Sequence, residues 1–571
     1  VLANITNAAS TATVWADVSG GSVTTSGAGA HGFIATTNGL GQSLVTIGGG
    51  TILTNNSNSI GAQALISNGA NTQMASVVMG GGEITSGSGV LAQTSGTGQA
   101  QVSITGGSIT TSVGAGAQAN ITNGTSTAAV SADLNNGSIV TTGTTATGLL
   151  AQTTGRGDAR ATVTIGSILT NIAAGALANI NNTTSTGAAR AEILGGSIVI
   201  GGSSSNFGLA SATNGLGDAS VTITGGSIST SNGSAIAARA NITNTTSTAT
   251  ARADMSGGSI TTAGSGAHGL IAQTSGLGQA LVTISGGTIL TNNSATTGAQ
   301  ALIANGANTQ MARVVMGGGD ITSGSGVLAQ TSGTGQAHVS ITGGSIITSV
   351  GSAALANITN ALSVAAVNAD MSDGNIVTTG NSGHGVRVSQ SGLGETGITL
   401  TGGSIGTAGS IANGLFSFST NINNASSTAA VMDGGNIITS GFTSDGIRVE
   451  ARGLGSAIAT MSNGSIQTSG QTSRGIISVI TNSINSAGVG VTMSGGSIVT
   501  SGVTAVGISS QTNGIGEARV MITGGSINTN NSGATGARAF ITNNASSAAA
   551  IAEMAGGSIV ASSVGLLANL G

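Results

Sequence analysis

Apolar and small residues alternate with polar ones in short runs along the whole chain, and Gly, Ser and Asn break the runs every few residues. In Val14-Trp15-Ala16-Asp17-Val18, the residues Val14, Ala16 and Val18 share one face and Trp15 and Asp17 the other. That period of two is the mark of a half-buried strand. No segment sustains the spacing of an amphipathic helix. Residues 257–284 display one full unit. It opens with Gly257-Gly258-Ser259-Ile260-Thr261-Thr262 and turns at Gly264-Ser265-Gly266. A second run spans residues 267–274, a second turn covers Ser275-Gly276-Leu277-Gly278, and a third run spans residues 279–284. Three short β-prone runs separated by Gly/Ser/Asn turns predict three strands per unit.

The opening phrase, Gly-Gly-Ser-Ile-x-Thr or a close variant, recurs 19 times, mostly at alternating gaps of 29 and 32 residues, with two gaps of 25. A fixed period of this size predicts a solenoid. The position two after the repeated Ile is Thr in 15 of the 19 units. With Ile260 inward, Thr262 is inward too. Thr25, Thr54, Thr141, Thr291 and Thr500 are its equivalents in other units. Stacked on parallel strands about 4.8 Å apart, such residues would form a ladder, each hydroxyl bonding its neighbour and each methyl lying in the core. The expected fold is therefore all-β: one continuous parallel β-helix over residues 1–571, about 19 coils of roughly 30 residues. Parallel crossovers are almost always right-handed, so the coil is expected to be right-handed as well. At one strand spacing per coil, the rod would be about 90 Å long.

Two further regularities refine the picture. Residues 20–120 recur almost unchanged at 257–357, which points to duplication of a block of coils. The longer units carry polar inserts such as Asn241-Ile242-Thr243-Asn244-Thr245-Thr246-Ser247, expected to bulge on one side. Val1-Leu2-Ala3-Asn4 resembles Leu566-Leu567-Ala568-Asn569, so the chain starts and stops at one phase of the repeat. That phase match suits either a longer native chain or copies stacked end to end.

Composition narrows the function classes. Gly fills 100 of 571 positions without a collagen triplet, and Pro, Cys, Tyr and Lys are absent. Pro cannot donate to a strand ladder, so its absence suits the fold. Without Cys there are no disulfides or thiolate metal sites, and a Cys-free chain suits export in an unfolded state. The formal charge is −4 and no basic run exists, which argues against nucleic-acid binding. No apolar run approaches the roughly 18 residues of a membrane span.

Candidate chemistry is sparse. His31, His268 and His384 each precede a Gly but lack ligand-type neighbours, and His338 replaces the Gln101 of the earlier copy. The dinucleotide-like pattern at residues 27–32 and 264–269 carries little weight in so Gly-rich a chain. Acids recur five positions before the repeated Ser at Asp17, Asp133, Glu192, Asp254, Asp370 and Glu553. Arg190 and Arg252 precede their acids by two, which predicts outward pairs on a solvated face. The Gly-Gly turns lack the Asp of calcium-binding repeats. The position after the repeated Ile is too mixed for an ice-binding threonine file. The densest charge cluster is Asp445-Gly446-Ile447-Arg448-Val449-Glu450-Ala451-Arg452. On one strand Asp445 and Glu450 are opposite in phase and would not face each other, which disfavours a paired-carboxylate glycosidase site. No catalytic, cofactor-binding or metal residue is expected.

The phrases Gly-Gly-Ser-Ile-Thr-Thr, Gly-Ala-His-Gly-Leu-Ile-Ala-Gln and Val-Thr-Ile-Ser-Gly-Gly-Thr-Ile within residues 257–289 resemble bacterial autotransporter passenger domains. The resemblance runs through essentially the whole chain. It implies an extracellular β-helix exported by type V secretion and displayed on the bacterial cell surface, often for adhesion. The leading expectation is accordingly a non-catalytic stalk or adhesin whose partner is a host-cell or matrix receptor. The alternative is a filament subunit whose partners are copies of itself stacked end to end. A polysaccharide-acting β-helix enzyme ranks third, because no long insertion builds a cleft.

Overall fold

The computed structural model describes residues 1–202, 206–231 and 233–570. The chain is all-β, with no helix among the described residues, and its strands stack as the parallel coils of a β-solenoid. Two compact units are present. One comprises Val1–Val282 with Gly287–Asn293, the other Thr283–Gly286 with Ser294–Gly571. Both are built on the same coil.

That coil has three strands, here Ala251–Met255, Ser259–Thr262 and Leu270–Thr274. Each lies parallel and in register with its equivalent one coil earlier: Ala253 opposite Val221, Ile260 opposite Ile228, Ala272 opposite Ala240. Through a unit the strands thus form a first, a second and a third file. All 19 copies of the phrase place their third residue in a strand of the second file. Inward residues are Ala, Val, Ile and Met in the first file, Ile and Thr in the second, Ala with Leu or Val in the third. The many Ala allow three sheets to approach closely around a narrow interior, which larger side chains would overpack.

The second Gly of the phrase has a specific backbone duty. Gly258 has φ +75°, and a Cβ there would meet the Gly225 and Gly226 carbonyl oxygens at 2.8 Å. Left-handed backbone and contact with the coil below both demand Gly. The same residue in every copy has φ between +74° and +109°. Gly446 serves differently: its Cβ would sit 2.3 Å from the Ile466 side chain. The repeated Ile of one coil therefore packs into a gap left by a Gly of the coil before.

Ile260, Thr54, Thr141, Thr262, Thr291 and Thr500 are buried, and Thr25, in the first coil, is half-buried. For Thr25, Thr141 and Thr262 the hydroxyl bonds within its own coil and not along the expected hydroxyl-to-hydroxyl ladder. Thr25, Thr141 and Thr262 each donate to the carbonyl five residues on, in Ala30, Ala146 and Ala267, at 3.0, 2.7 and 3.1 Å. The hydroxyl thus closes the corner of its own coil. Thr500 Oγ1 is buried without a hydrogen-bond partner.

The alternation of 29 and 32 residues has a structural cause in the turn from the third file to the first. After Thr37 the turn is short, residues 38–42; after Ile66 it is long, residues 67–74. In the short turn the strand-end Thr accepts the N–H two residues on, as Gly39 donates to Thr37 at 2.9 Å. In the long turn an Asn supplies that acceptor, as Ala70 donates to Asn68 Oδ1 at 2.9 Å, so an apolar Ile can end the strand. The Asn68 amide then donates to Asn38 and Ala8, one and two coils back, at 2.8 and 3.2 Å. Asn244 and Asn421 repeat this reach. Long turns are thus knitted to one another across the short turn between them. The insert expected at residues 241–247 begins two residues later, since Asn241 and Ile242 still belong to the strand Ile236–Ile242.

Candidate functional site

The chemistry that stands apart from the repeat lies on the outward face of the third file in the second unit. Its strands are Val386–Gln390, Leu415–Ser419, Ile447–Ala451, Arg474–Ile480, Val506–Thr512 and Thr535–Ile541. Their register aligns Arg387, Phe416, Arg448, Ile477, Ser509 and Arg538 in one outward row. A second row holds Ser389, Phe418, Glu450, Val479, Gln511 and Phe540.

Phe416 and Phe418 alternate on one strand and so share a face; their rings stack with centroids 5.2 Å apart. The Arg387 and Arg448 guanidinium carbons stand 5.5 and 5.9 Å from the Phe416 centroid, one from each neighbouring coil. Arg452 stands 4.7 Å over Phe418. Ring faces attract guanidinium charge, and the arginine stems cover the rings. Although they point out of the coil, Phe416 and Phe418 are only 9% and 8% exposed.

Two carboxylates meet these cations. Glu450 accepts from Arg448 Nη2 at 2.8 Å and from Arg452 Nε at 3.0 Å. Asp445 accepts from Arg448 Nη1 at 3.3 Å and from Arg474 Nη1 at 3.4 Å. The expectation that Asp445 and Glu450 stay apart is overturned: one guanidinium bridges both. Asp445 lies in the corner before the strand Ile447–Ala451, so strand phase does not apply to it. Burial alone would lower the Arg448 pKa, but these carboxylates raise it above the ordinary value. Among the described residues Arg387 and Arg538 have no such partner, and burial lowers their pKa values. Arg387 Nε is buried without a hydrogen-bond partner, while Arg538 Nε donates to Ser509 at 3.1 Å.

A polar ladder climbs the adjoining corner. Asn413 N–H donates to His384 Nδ1 at 3.1 Å, Asp445 N–H to Asn413 Oδ1 at 2.8 Å, and Arg474 N–H to Asp445 Oδ1 at 2.9 Å. Burial first, then Arg387 and Arg448, push the His384 pKa down to about 3, so its ring is a neutral acceptor. Two residues before each rung stands a non-Gly residue in left-handed backbone: Ser382, Ile411, Thr443 and Thr472, with φ between +52° and +59°. For β-branched Ile and Thr this conformation is strained, and such strain concentrates at functional sites. In the first unit His31 accepts the Ile60 N–H at 2.9 Å in the equivalent way, but Gly29 takes the left-handed position. His268 is likewise preceded by Gly266, at φ +75°.

The acidic stripe lies on the first file. Arg252 pairs with Asp254 on its own strand, as expected. Arg190 instead reaches Asp158 of the preceding coil at 3.1 Å, and Glu192 accepts from Arg160 at 3.0 Å; both pairs are diagonal across the ladder, within the reach of a long arginine side chain. Arg519 and Glu553 pair the same way at 3.1 Å. Asp17 is exposed, while burial raises the Asp133 pKa. His338, in place of the earlier copy's Gln101, bonds Asp370 at 2.8 Å, and that bond lowers the Asp370 pKa. No group of three metal-type ligands occurs among the described residues, and no helix is long and apolar enough to cross a membrane.

The Arg–Phe face escapes a reading of single strands. Its sequence signal is the recurrence of Arg387, Phe416 and Arg448 at the repeat's own spacing of 29 and 32. No family model matches the chain, nor does any curated protein or solved structure.

Proposed function

We propose that this chain is a non-catalytic structural protein of the bacterial cell surface, a β-solenoid stalk or adhesin of the kind its resemblance to autotransporter passengers implies. One observation carries the reading: the polar groups that recur with the repeat are engaged in building it. The strand-end Thr and the turn Asn cap their own turns, and the Asn amides bind carbonyls one and two coils back. A scaffold made this way extends by adding coils and needs no reacting centre. Electron microscopy of native material, with the chain mass measured in denaturant, tests it. Short rods attached to a membrane are expected. Long filaments assembled from chains of this size would replace it with the filament-subunit reading, and cleavage of a polysaccharide by the pure chain would overturn it.

A further inference from the structure

We infer that the outward Arg–Phe face of the second unit, from Arg387 through Arg448 to Arg538, binds an extended acidic polysaccharide. Its sulfate or carboxylate groups would pair with the guanidiniums while its sugar rings lie along the row. This names a partner class for the non-catalytic reading above and rests on it.

Four observations converge. First, charge is inverted locally: Arg387, Arg448, Arg452, Arg474 and Arg538 face only Asp445 and Glu450, in a chain whose formal charge is −4. His384, beside them, is neutral. Secondly, among the described residues Arg387 and Arg538 have no carboxylate partner, whereas four of the five first-file arginines, Arg160, Arg190, Arg252 and Arg519, have one. A guanidinium that is half-buried and unpaired retains donors that match a sulfate or carboxylate bidentately. Thirdly, Phe416 and the two carboxylates hold Arg387 and Arg448 in place before any ligand arrives, which lowers the ordering cost of binding. Fourthly, the corner beside the face carries the strained Ile411, Thr443 and Thr472.

Spacing selects the ligand class. Arg387 and Arg538, the two without a carboxylate, are five coils apart, or about 24 Å, and Arg448 between them is already paired with Asp445 and Glu450. A nucleic-acid strand carries a phosphate every ~3.4 Å, so most of its charges would lie unpaired against an acidic protein. A polysaccharide with one acidic group per two-sugar repeat spaces its charge more widely.

The test uses the full 571-residue chain. Heparin supplies the sulfated probe, polygalacturonate the uronate probe and a single-stranded oligonucleotide the phosphate probe. Calorimetry should show binding of at least one polysaccharide that weakens as salt rises. The double variant R387Q/R538Q should lose about tenfold or more in affinity, and R160Q/R190Q should change it less than about twofold. Heparin binding alone assigns sulfate as the recognised group, and polygalacturonate binding alone assigns carboxylate. Circular dichroism checks that the variants fold. If R387Q/R538Q misfolds, crosslinking of bound probe to wild-type protein decides, and attachment near residues 387–538 is expected. No polysaccharide binding, equal loss in both double variants, or tighter binding of the oligonucleotide overturns the inference. Probe length after incubation separates the two readings: shortened probe overturns the non-catalytic reading and leaves the site, while failure to bind overturns the site and leaves the scaffold.

Discussion

The outward face of the first file in the first unit and that of the third file in the second unit both carry ion pairs, with opposite consequences. On the first file Arg190 and Arg160 reach acids of a neighbouring coil, whereas on the third file Arg448 and Arg452 pair within one coil and Arg474 reaches Asp445 from the next. On the first file, the Arg190 and Asp158 side chains are 48% and 46% exposed. Water already solvates both partners, and such a pair is worth about 0–1 kcal/mol. On the third file, the Asp445 and Glu450 side chains are 0% and 7% exposed. There the carboxylates have lost water, and their arginines are what makes burial tolerable. Solenoid geometry brings charges together equally well on either face. Whether the meeting matters is decided by how much water remains around it, and the third-file carboxylates are buried while the first-file pair is half-exposed.

The largest expected break in this contrast is D445A. It takes from Arg448 and Arg474 a buried carboxylate, and from the Arg474 N–H its acceptor. A loss of about 3–5 kcal/mol is expected in urea unfolding. A loss below about 1 kcal/mol would place this cluster with the first-file pairs.

Acid comes next. The His384 pKa in the folded chain is lowered from 6.5 to about 3, so between those values the unfolded chain binds the extra proton. This contribution is complete above pH 6.5 and declines as pH falls, until it is gone below about 3. The total is up to about 5 kcal/mol. Melting temperature followed across that window should fall steeply for the wild type and less for H384Q, whose amide can still accept the Asn413 N–H. Parallel curves would mean that His384 is not the group responsible. Asp370 titrates lower: its pKa lies below 3.8, so its contribution is present above that value and lost as pH drops through the folded pKa.

A smaller effect of opposite sign tests the strain. Thr443 has φ +52°, where two equivalent corners of the first unit carry Gly29 and Gly266 and a third carries Ser234. T443G should stabilise the chain by up to about 1 kcal/mol, the relief exceeding the added freedom of the unfolded chain. Clear destabilisation would show that the Thr443 side chain contributes more than its conformation costs. The smallest effect is expected from R190A, which exposed-pair energetics put within about 0.5 kcal/mol, vanishing in high salt.

Much of the fold was legible because a solenoid repeats its physics. Alternation at Val14–Val18 assigned faces, and Ile260 with Thr262 marked the inward row. The chemistry of those same residues was less legible. The Thr262 hydroxyl was expected to bond along the stack, yet it turns to the Ala267 carbonyl of its own coil. Periodicity reports which residues stack, not where a rotatable hydroxyl finds its best acceptor. The Asp445–Glu450 relation was misjudged for a similar reason. Strand phase applies only within a strand, and Asp445 sits at a corner where the chain changes direction.

The sequence by itself determined the coil, because each coil is held by local turns and by register with near-copies of itself. Gly at the left-handed corner, Ile two residues later and Thr at the strand end suffice to specify it, and 19 repetitions make the signal plain. Only the tertiary structure decided what the exceptions do. Arg387, Phe416, Arg448 and Arg538 are spread over about 150 residues of chain and carry no meaning until register sets them in one row. The strength of a charge likewise depends on how much water remains around it, and that is a property of the folded surface.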